Sequence, residues 1–181
     1  MVVDPVRGPV GERDADHRDV AAVRTLLGRE PRGRFHVVVR DAAGEPVVIR
    51  NAPLLDDGTP MPTRFWLVDA DINRRIGRLE ADGGVRRAEA AVDPDELAAA
   101  HDRYRAERDA AVPTGHDGPL PFGGVGGTRR GVKCLHTHYA WYLAGGDDPV
   151  GAWVQQALDQ PEALEDHVGV DQHHPSDQES Q

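Results

Sequence analysis

The sequence predicts an α+β fold, with a small antiparallel sheet of about three strands covered by about five helices. Two observations support this prediction. Short runs rich in β-branched and aromatic residues cluster between positions 35 and 68, which is typical of strands. Beyond them, apolar residues recur at spacings of three and four, as in helices that pack one face on a core. Strands grouped together and then followed by helices are typical of α+β domains.

The predicted sheet is preceded by a helix and built around a hairpin. In "DVAAVRTLLG", Val20, Val23 and Leu27 have helical spacing, and Gly28 suits the C-terminal end. The stretches "RFHVVVR" and "PVVIR" flank the turn "DAAGE" and predict two antiparallel strands. A turn-rich loop then leads to "TRFWLVDA", the third predicted strand.

The predicted helices that follow the sheet have recognisable ends. A helix from near Asp71 to near Gly83–Gly84 places Ile72, Ile76 and Leu79 on one face. Asp93 suits the N-cap of the next helix, with a proline directly after it. A long Gly/Pro loop follows and leads into a helix reaching about residue 144. A short last helix is predicted to start near residue 149.

Charge is distributed unevenly along the chain. Residues 1–15 lack periodicity and are predicted to be loose, residues 16–158 to form a single domain, and residues 159–181 to form a disordered acidic tail. That tail holds acids but no Lys or Arg, so it carries most of the net charge of −10. The remainder is nearly balanced, which does not favour a nucleic-acid partner.

Several protein classes do not fit this composition. A single Cys cannot form an internal disulfide, no apolar run approaches the roughly 20 residues of a membrane span, and no signal-peptide pattern opens the chain. We therefore expect a cytoplasmic protein that does not associate with a membrane.

The most unusual stretch is "GGVGGTRRGVKCLHTHYAWYLAGG", residues 123–146, which contains the only Cys and the only Lys of the chain. A Gly-rich loop that opens a helix can offer backbone N–H groups to an anion, and nearby cations can neutralise it. The residues predicted to bind such a ligand are Gly126, Gly127, Arg129, Arg130, Gly131 and Lys133. Neither a Walker motif nor a dinucleotide fingerprint is present, so no particular cofactor is indicated.

Cys134 and His138 lie one turn apart on the predicted helix. At about 100° per residue they fall on the same side, whereas His136 falls on the opposite side. They are candidates for catalysis, as a thiol activated near a helix N-terminus and as its base. They are also weak candidates for a metal site, together with His101, although zinc needs three or four ligands. Ordinary packing in the core is the simplest alternative.

Several blocks of the chain, in order, resemble the bacterial domain of unknown function family 501 over about residues 20–155. They are "LGREPRG", "DGTPMPTRFWLVDADINRRIGRLEADG" and "GVKCLHTHYAWYLAGGDDPVG". Lys133, Cys134 and His136 carry the likeness, with Arg32 and Gly33 upstream. The resemblance implies a compact cytosolic domain with no assigned activity. It also implies cysteines near "RDAAGEP" and "LVDADI", where this chain has Asp41 and Asp69, which weakens the metal interpretation.

The sequence thus predicts binding of an anionic small ligand, bearing phosphate or carboxylate, at the Gly-rich loop and the helix N-terminus after it. Two alternatives stay open. One is a protein-interaction module without an active site, in which the acidic tail or the helix of Trp153 engages a protein partner. The other is a metal-binding protein that uses Cys134 and His138.

Overall fold

The structure is a computed structural model and describes residues 15–160. In that range one α-helix precedes three consecutive strands, and five α-helices follow them. They are α1 (His17–Leu27), β1 (Phe35–Arg40), β2 (Pro46–Asn51), β3 (Phe65–Leu67), α2 (Ala70–Ala81), α3 (Gly84–Ala91), α4 (Pro94–Ala110), α5 (Leu135–Leu143) and α6 (Pro149–Asp159). The predicted α+β class and three-stranded antiparallel sheet are confirmed.

The sheet has the order β1-β2-β3, with both pairs antiparallel. His36 pairs with Arg50 in the first ladder, and Arg50 pairs with Phe65 in the second. Successive residues of a strand point to opposite faces, so Val48 and Ile49 enter different hydrophobic clusters.

Helices cover both faces of this sheet. On one face, α1 contributes Val23 to a cluster with Phe35, Val37, Ile49 and Val68. On the other face, the larger cluster joins residues of β2 and β3 to residues of α2 through α6. The sheet is therefore the middle of three layers, and the long Gly/Pro loop lies on the side of the larger cluster, where Val125 is fully buried.

Local sequence signals account for most helix ends. Gly28 adopts a left-handed conformation (φ 67°) and ends α1, as its position predicted. The Asp93 carboxylate accepts hydrogen bonds from the Asp95 and Glu96 N–H groups at the start of α4. The α2 cap is Asp69, two residues before the predicted start, and Ile72, Ile76 and Leu79 are buried as expected.

Two details differ from the sequence prediction. The sequence does not indicate the helix α3, because a Gly83–Gly84 pair is typical of the C-terminal end of a helix. A Cβ on Gly84 would lie 2.4 Å from the Leu79 carbonyl oxygen, so glycine lets α3 follow α2 directly. In addition, α6 continues through Asp159 into the predicted tail. The rest of that tail and residues 1–14 lie outside the described residues.

None of the helices within residues 15–160 is both long enough and apolar enough to cross a membrane.

Candidate functional site

The long loop between α4 and α5 is anchored by a buried arginine. Arg108 of α4 is completely buried, and its Nη1 donates to the carbonyl oxygens of Phe122 (3.1 Å) and Gly123 (2.7 Å). Its Nε and Nη2 donate to the Asp109 carboxylate at 2.9 and 2.8 Å. The guanidinium therefore keeps a charged partner while it holds the loop against α4.

His101, two turns earlier on α4, holds the next part of the loop. The Val125 N–H donates to its Nδ1 (3.0 Å), so the proton resides on Nε2, which donates to the Gly131 carbonyl (3.1 Å). Burial, followed by the proximity of His138, lowers the pKa of His101. This neutral imidazole thus joins the two ends of the Gly-rich segment.

Two glutamates accept hydrogen bonds from backbone N–H groups in the region where the sequence predicts an anion site. Glu80 of α2 accepts from the Leu135 N–H at 2.6 Å and from His136 Nδ1 at 3.1 Å, so it caps α5. Glu89 of α3 accepts from the Val132 N–H at 3.1 Å. The N-terminal end of α5 is consequently filled by a carboxylate of the protein itself.

A groove of about 850 Å³ separates this loop from α4. Leu97, Ala98 and Phe122 give it apolar lining, and His101 contributes to its wall. The Arg129 guanidinium lies 5.6 Å from the centre of the Phe122 ring, a cation–π geometry. The groove therefore combines an apolar surface with a cationic rim.

The charged side chains of the groove differ in whether they are already paired. Arg105 pairs with Asp102 at 2.8 Å, and Glu89 is engaged with the loop backbone. Within residues 15–160, neither Arg129 nor Arg130 makes an ion pair with a carboxylate. Asp95 is an exposed acid in the lining, in the first turn of α4.

The six residues predicted to bind a ligand fall into two groups. Arg129, Arg130 and Gly131 line the groove. Lys133 instead donates to the Gly126 carbonyl at 3.3 Å, and its stem approaches the position of a Gly126 Cβ. Gly127 lies against Pro62, and its N–H donates to the Gly124 carbonyl. Gly126, Gly127 and Lys133 thus shape the loop from behind.

Cys134 and His138, which the sequence suggested as a shared site, each make contacts with other residues. Cys134 is the N-cap of α5 with an extended backbone, not a residue of its first turn, so the helical projection does not apply to it. Its Sγ lies 3.2 Å from Thr137 Oγ1. The His138 ring lies instead beside Asp148 and the His101 ring, whose centre is 5.7 Å away.

His138 and Asp148 form a buried pair that the sequence analysis did not predict. Nδ1 of His138 donates to Asp148 Oδ2 at 2.7 Å, while Oδ1 accepts from the Gly151 N–H at the start of α6. Nε2 of His138 is buried without a hydrogen-bond partner among the described residues. A carboxylate that fixes a histidine tautomer in this way is found in catalytic and metal sites. Here the pair lies outside the groove lining, behind His101.

The residues described do not assemble into a metal centre. No group of three or more His, Cys, Asp or Glu side chains within residues 15–160 is arranged to hold an ion. Both ring nitrogens of His101 are already engaged with backbone groups. Asp41 and Asp69 have structural roles here, since Asp41 accepts from two N–H groups of the hairpin turn and Asp69 caps α2.

Sequence reasoning missed Arg108, Glu80, Glu89 and Asp148, the side chains that fix the site. Asp148 before Pro149 carries a visible N-cap signal, but its pairing with His138 depends on how α6 packs on α5. Glu80 contacts a residue 55 positions away, and no local pattern specifies such a contact.

One of three comparisons with known proteins gives a match. No curated protein and no solved structure matches the chain. A family model described as "Protein of unknown function (DUF501)" matches residues 37–156, well over half of the chain, including the groove and the His138–Asp148 pair. The chain belongs to the DUF501 family.

Proposed function

We propose that this protein binds a small amphipathic acid, with an apolar or aromatic body and a phosphate or carboxylate group, in the groove between α4 and the Gly-rich loop. One observation carries the proposal. In a loop whose neighbouring polar groups are engaged by Arg108, His101, Glu89 and Lys133, the guanidinium groups of Arg129 and Arg130 lie at a concave surface and have no carboxylate partner among residues 15–160.

Charge and shape both favour such a ligand. Guanidinium groups pair well with phosphate and carboxylate through two parallel hydrogen bonds. Within residues 15–160, three acids and three arginines line the groove, so its formal charge is zero. Arg129 and Arg130 are the two of these arginines that have no carboxylate partner in that range. Leu97, Ala98 and the 59% exposed Phe122 offer apolar contact beside the cations. A cavity of about 850 Å³ is within the range of small-molecule sites.

The groups that would contact the ligand differ in part from those that the sequence predicts. The proposal uses side-chain cations at the groove rather than backbone amides. Glu80 occupies the Leu135 N–H at the start of α5, and Glu89 occupies the Val132 N–H in the loop before it. Cys134 and His138 do not line the groove, so the proposal includes no chemical step.

The protein-interaction alternative has less support. It requires an exposed apolar patch well away from the loop, whereas two of the three exposed large apolar side chains within residues 15–160, Leu120 and Phe122, belong to the loop itself. Trp153 is half-buried and packs against the larger core cluster, so its helix does not present that ring as a free surface.

The test measures thermal stability in the presence of matched pairs of anions. Phenyl phosphate is compared with inorganic phosphate, and benzoate with acetate. A ligand at about 100 times its dissociation constant stabilises the folded state by about 2.7 kcal/mol, so a melting shift is readily measured. We expect the aromatic member of a pair to give the larger shift.

Variants assign the shift to the groove. Arg130→Ala should abolish it, and Phe122→Ala should remove the advantage of the aromatic member. Arg74→Ala is the matched control, since Arg74 is an exposed arginine of α2 that lies outside the groove. The absence of a shift with every anion, or a shift that persists in Arg130→Ala, would overturn the proposal.

A further inference from the structure

A second cavity, of about 580 Å³, lies at the end of the sheet where β1 begins and β2 ends. Its lining includes Arg34, His36, Asn51, Leu55, Arg64 and Pro113. It shares no lining residue with the groove between α4 and the Gly-rich loop.

Arg64 places a fixed cation in the wall of this cavity. The residue is only 7% exposed, and its Nη1 donates to the Asn51 carbonyl at 3.0 Å. Its backbone is held as well, because its N–H donates to the Tyr104 hydroxyl and its carbonyl accepts from the Asn51 N–H, both at 2.7 Å. A guanidinium fixed before binding loses little freedom when an anion arrives.

Glu107 supplies opposite charge close to this buried cation. Glu107 Oε1 lies 4.0 Å from Arg64 Nε, and its other oxygen accepts from Trp141 Nε1 at 2.9 Å. Burying a cation is costly unless opposite charge or hydrogen-bond acceptors surround it. The Glu107 carboxylate and the Asn51 carbonyl supply such groups and hold the guanidinium at the cavity wall.

Two more basic residues line the same cavity. His36 projects from β1, and Arg34 stands directly before that strand, with its carbonyl fixed by the Ala52 N–H at 2.9 Å. Gly33 permits this arrangement, because a Cβ there would lie 3.0 Å from Leu55 Cδ2 and its φ is 81°. Of the described residues in the lining, Asp56 is the one acid, and it is exposed.

We propose that this cavity is a second binding site, in which Arg34 and Arg64 together hold a phosphate or carboxylate group. Cations from separate chain segments that meet on one concave surface are suited to bidentate recognition of such groups. The inference is independent of the groove, since neither arginine contributes to it.

The experiment titrates the protein with inorganic phosphate in one arm and succinate in the other, followed by amide NMR. We expect saturable shifts at the amides of Ala52 and Leu55 with at least one probe. The responding arm identifies the group bound. Arg34→Ala should weaken this binding about tenfold, the equivalent of about 1.4 kcal/mol.

Controls keep the two sites distinct. Arg34 is exposed, so its replacement leaves the buried contacts intact, and Arg64→Lys retains the buried charge but loses the bidentate geometry. Both variants should weaken the probe at Ala52 and Leu55, whereas Arg130→Ala should not. The proposal is overturned if neither probe gives saturable shifts there, or if both arginine variants bind as the unaltered chain does. If the proposal for the groove is wrong, the result for this cavity is unaffected, because the two share no lining residue.

Discussion

At the scale of the residue, Arg108 makes structural contacts that no local pattern in the sequence indicates. It is a guanidinium with no exposed surface, and two carbonyls of the Gly-rich segment depend on it. We expect Arg108→Ala to lower the free energy of unfolding by about 2–4 kcal/mol, because hydrogen bonds to charged groups contribute about 1.5–3 kcal/mol each. Urea denaturation measures the change.

The matched control for that prediction is Arg105→Ala on the same helix. Arg105 makes an exposed pair with Asp102, and exposed pairs contribute less than about 1 kcal/mol. Equal losses in the two variants would show that Arg108 does not anchor the loop.

The structural role of a residue could be predicted from the sequence where its physical cause is local. Asp93 as a cap and Gly28 as a helix end depend on their own few neighbours, and both were predicted. Arg108 could not be distinguished from Arg105, because its burial depends on contacts with loop residues 14 and 15 positions later. Cys134 was placed inside a helix since nothing in the sequence marks it as the cap.

At the scale of the element, the contact between α5 and α6 depends on one glycine. A Cβ on Gly151 would lie 2.3 Å from Tyr142 Cβ and 2.9 Å from the His138 carbonyl oxygen. We expect Gly151→Ala to separate the two helices and to cost about 1–3 kcal/mol, as overpacking of a core does. Thermal unfolding measures the loss.

Gly77 supplies the matched comparison within α2. Nothing lies within 4 Å of its would-be Cβ, so Gly77→Ala should raise stability by about 0.5–1 kcal/mol through its helix propensity. A similar sign for both alanine variants would contradict the packing argument.

The same contrast explains how far the elements could be predicted. Strands and amphipathic helices can be predicted from the sequence, because the spacing of their apolar residues reflects which face is buried. Ile72, Ile76 and Leu79 of α2 are an example. The helix α3 did not appear because its two opening glycines are typical of a turn. Their use for close approach to Leu79 is a tertiary feature.

At the scale of the whole molecule, His101 links stability to pH. Its folded-state pKa lies below the ordinary 6.5, chiefly through burial. Below pH 6.5 the unfolded chain therefore binds more protons at this residue than the folded protein does, so stability falls as pH drops from 6.5 towards the folded value. Above pH 6.5 this residue contributes no slope.

We expect urea midpoints measured between pH 8 and pH 5 to fall on the acidic side. In His101→Asn, whose side chain does not titrate, the part of that slope due to this histidine should be missing, although overall stability is lower. His17→Gln, at an exposed histidine of α1, should retain the slope. An unchanged slope in His101→Asn would contradict the assignment.

The anchored loop also has a consequence for binding kinetics. Because Arg108, His101 and Glu89 already fix the segment that carries Arg129 and Arg130, the groove exists before a ligand arrives. Entry then needs no ordering of the loop and no slow closing step. Differences in affinity among related ligands should consequently appear in how long each one stays, while the rates at which they arrive remain similar.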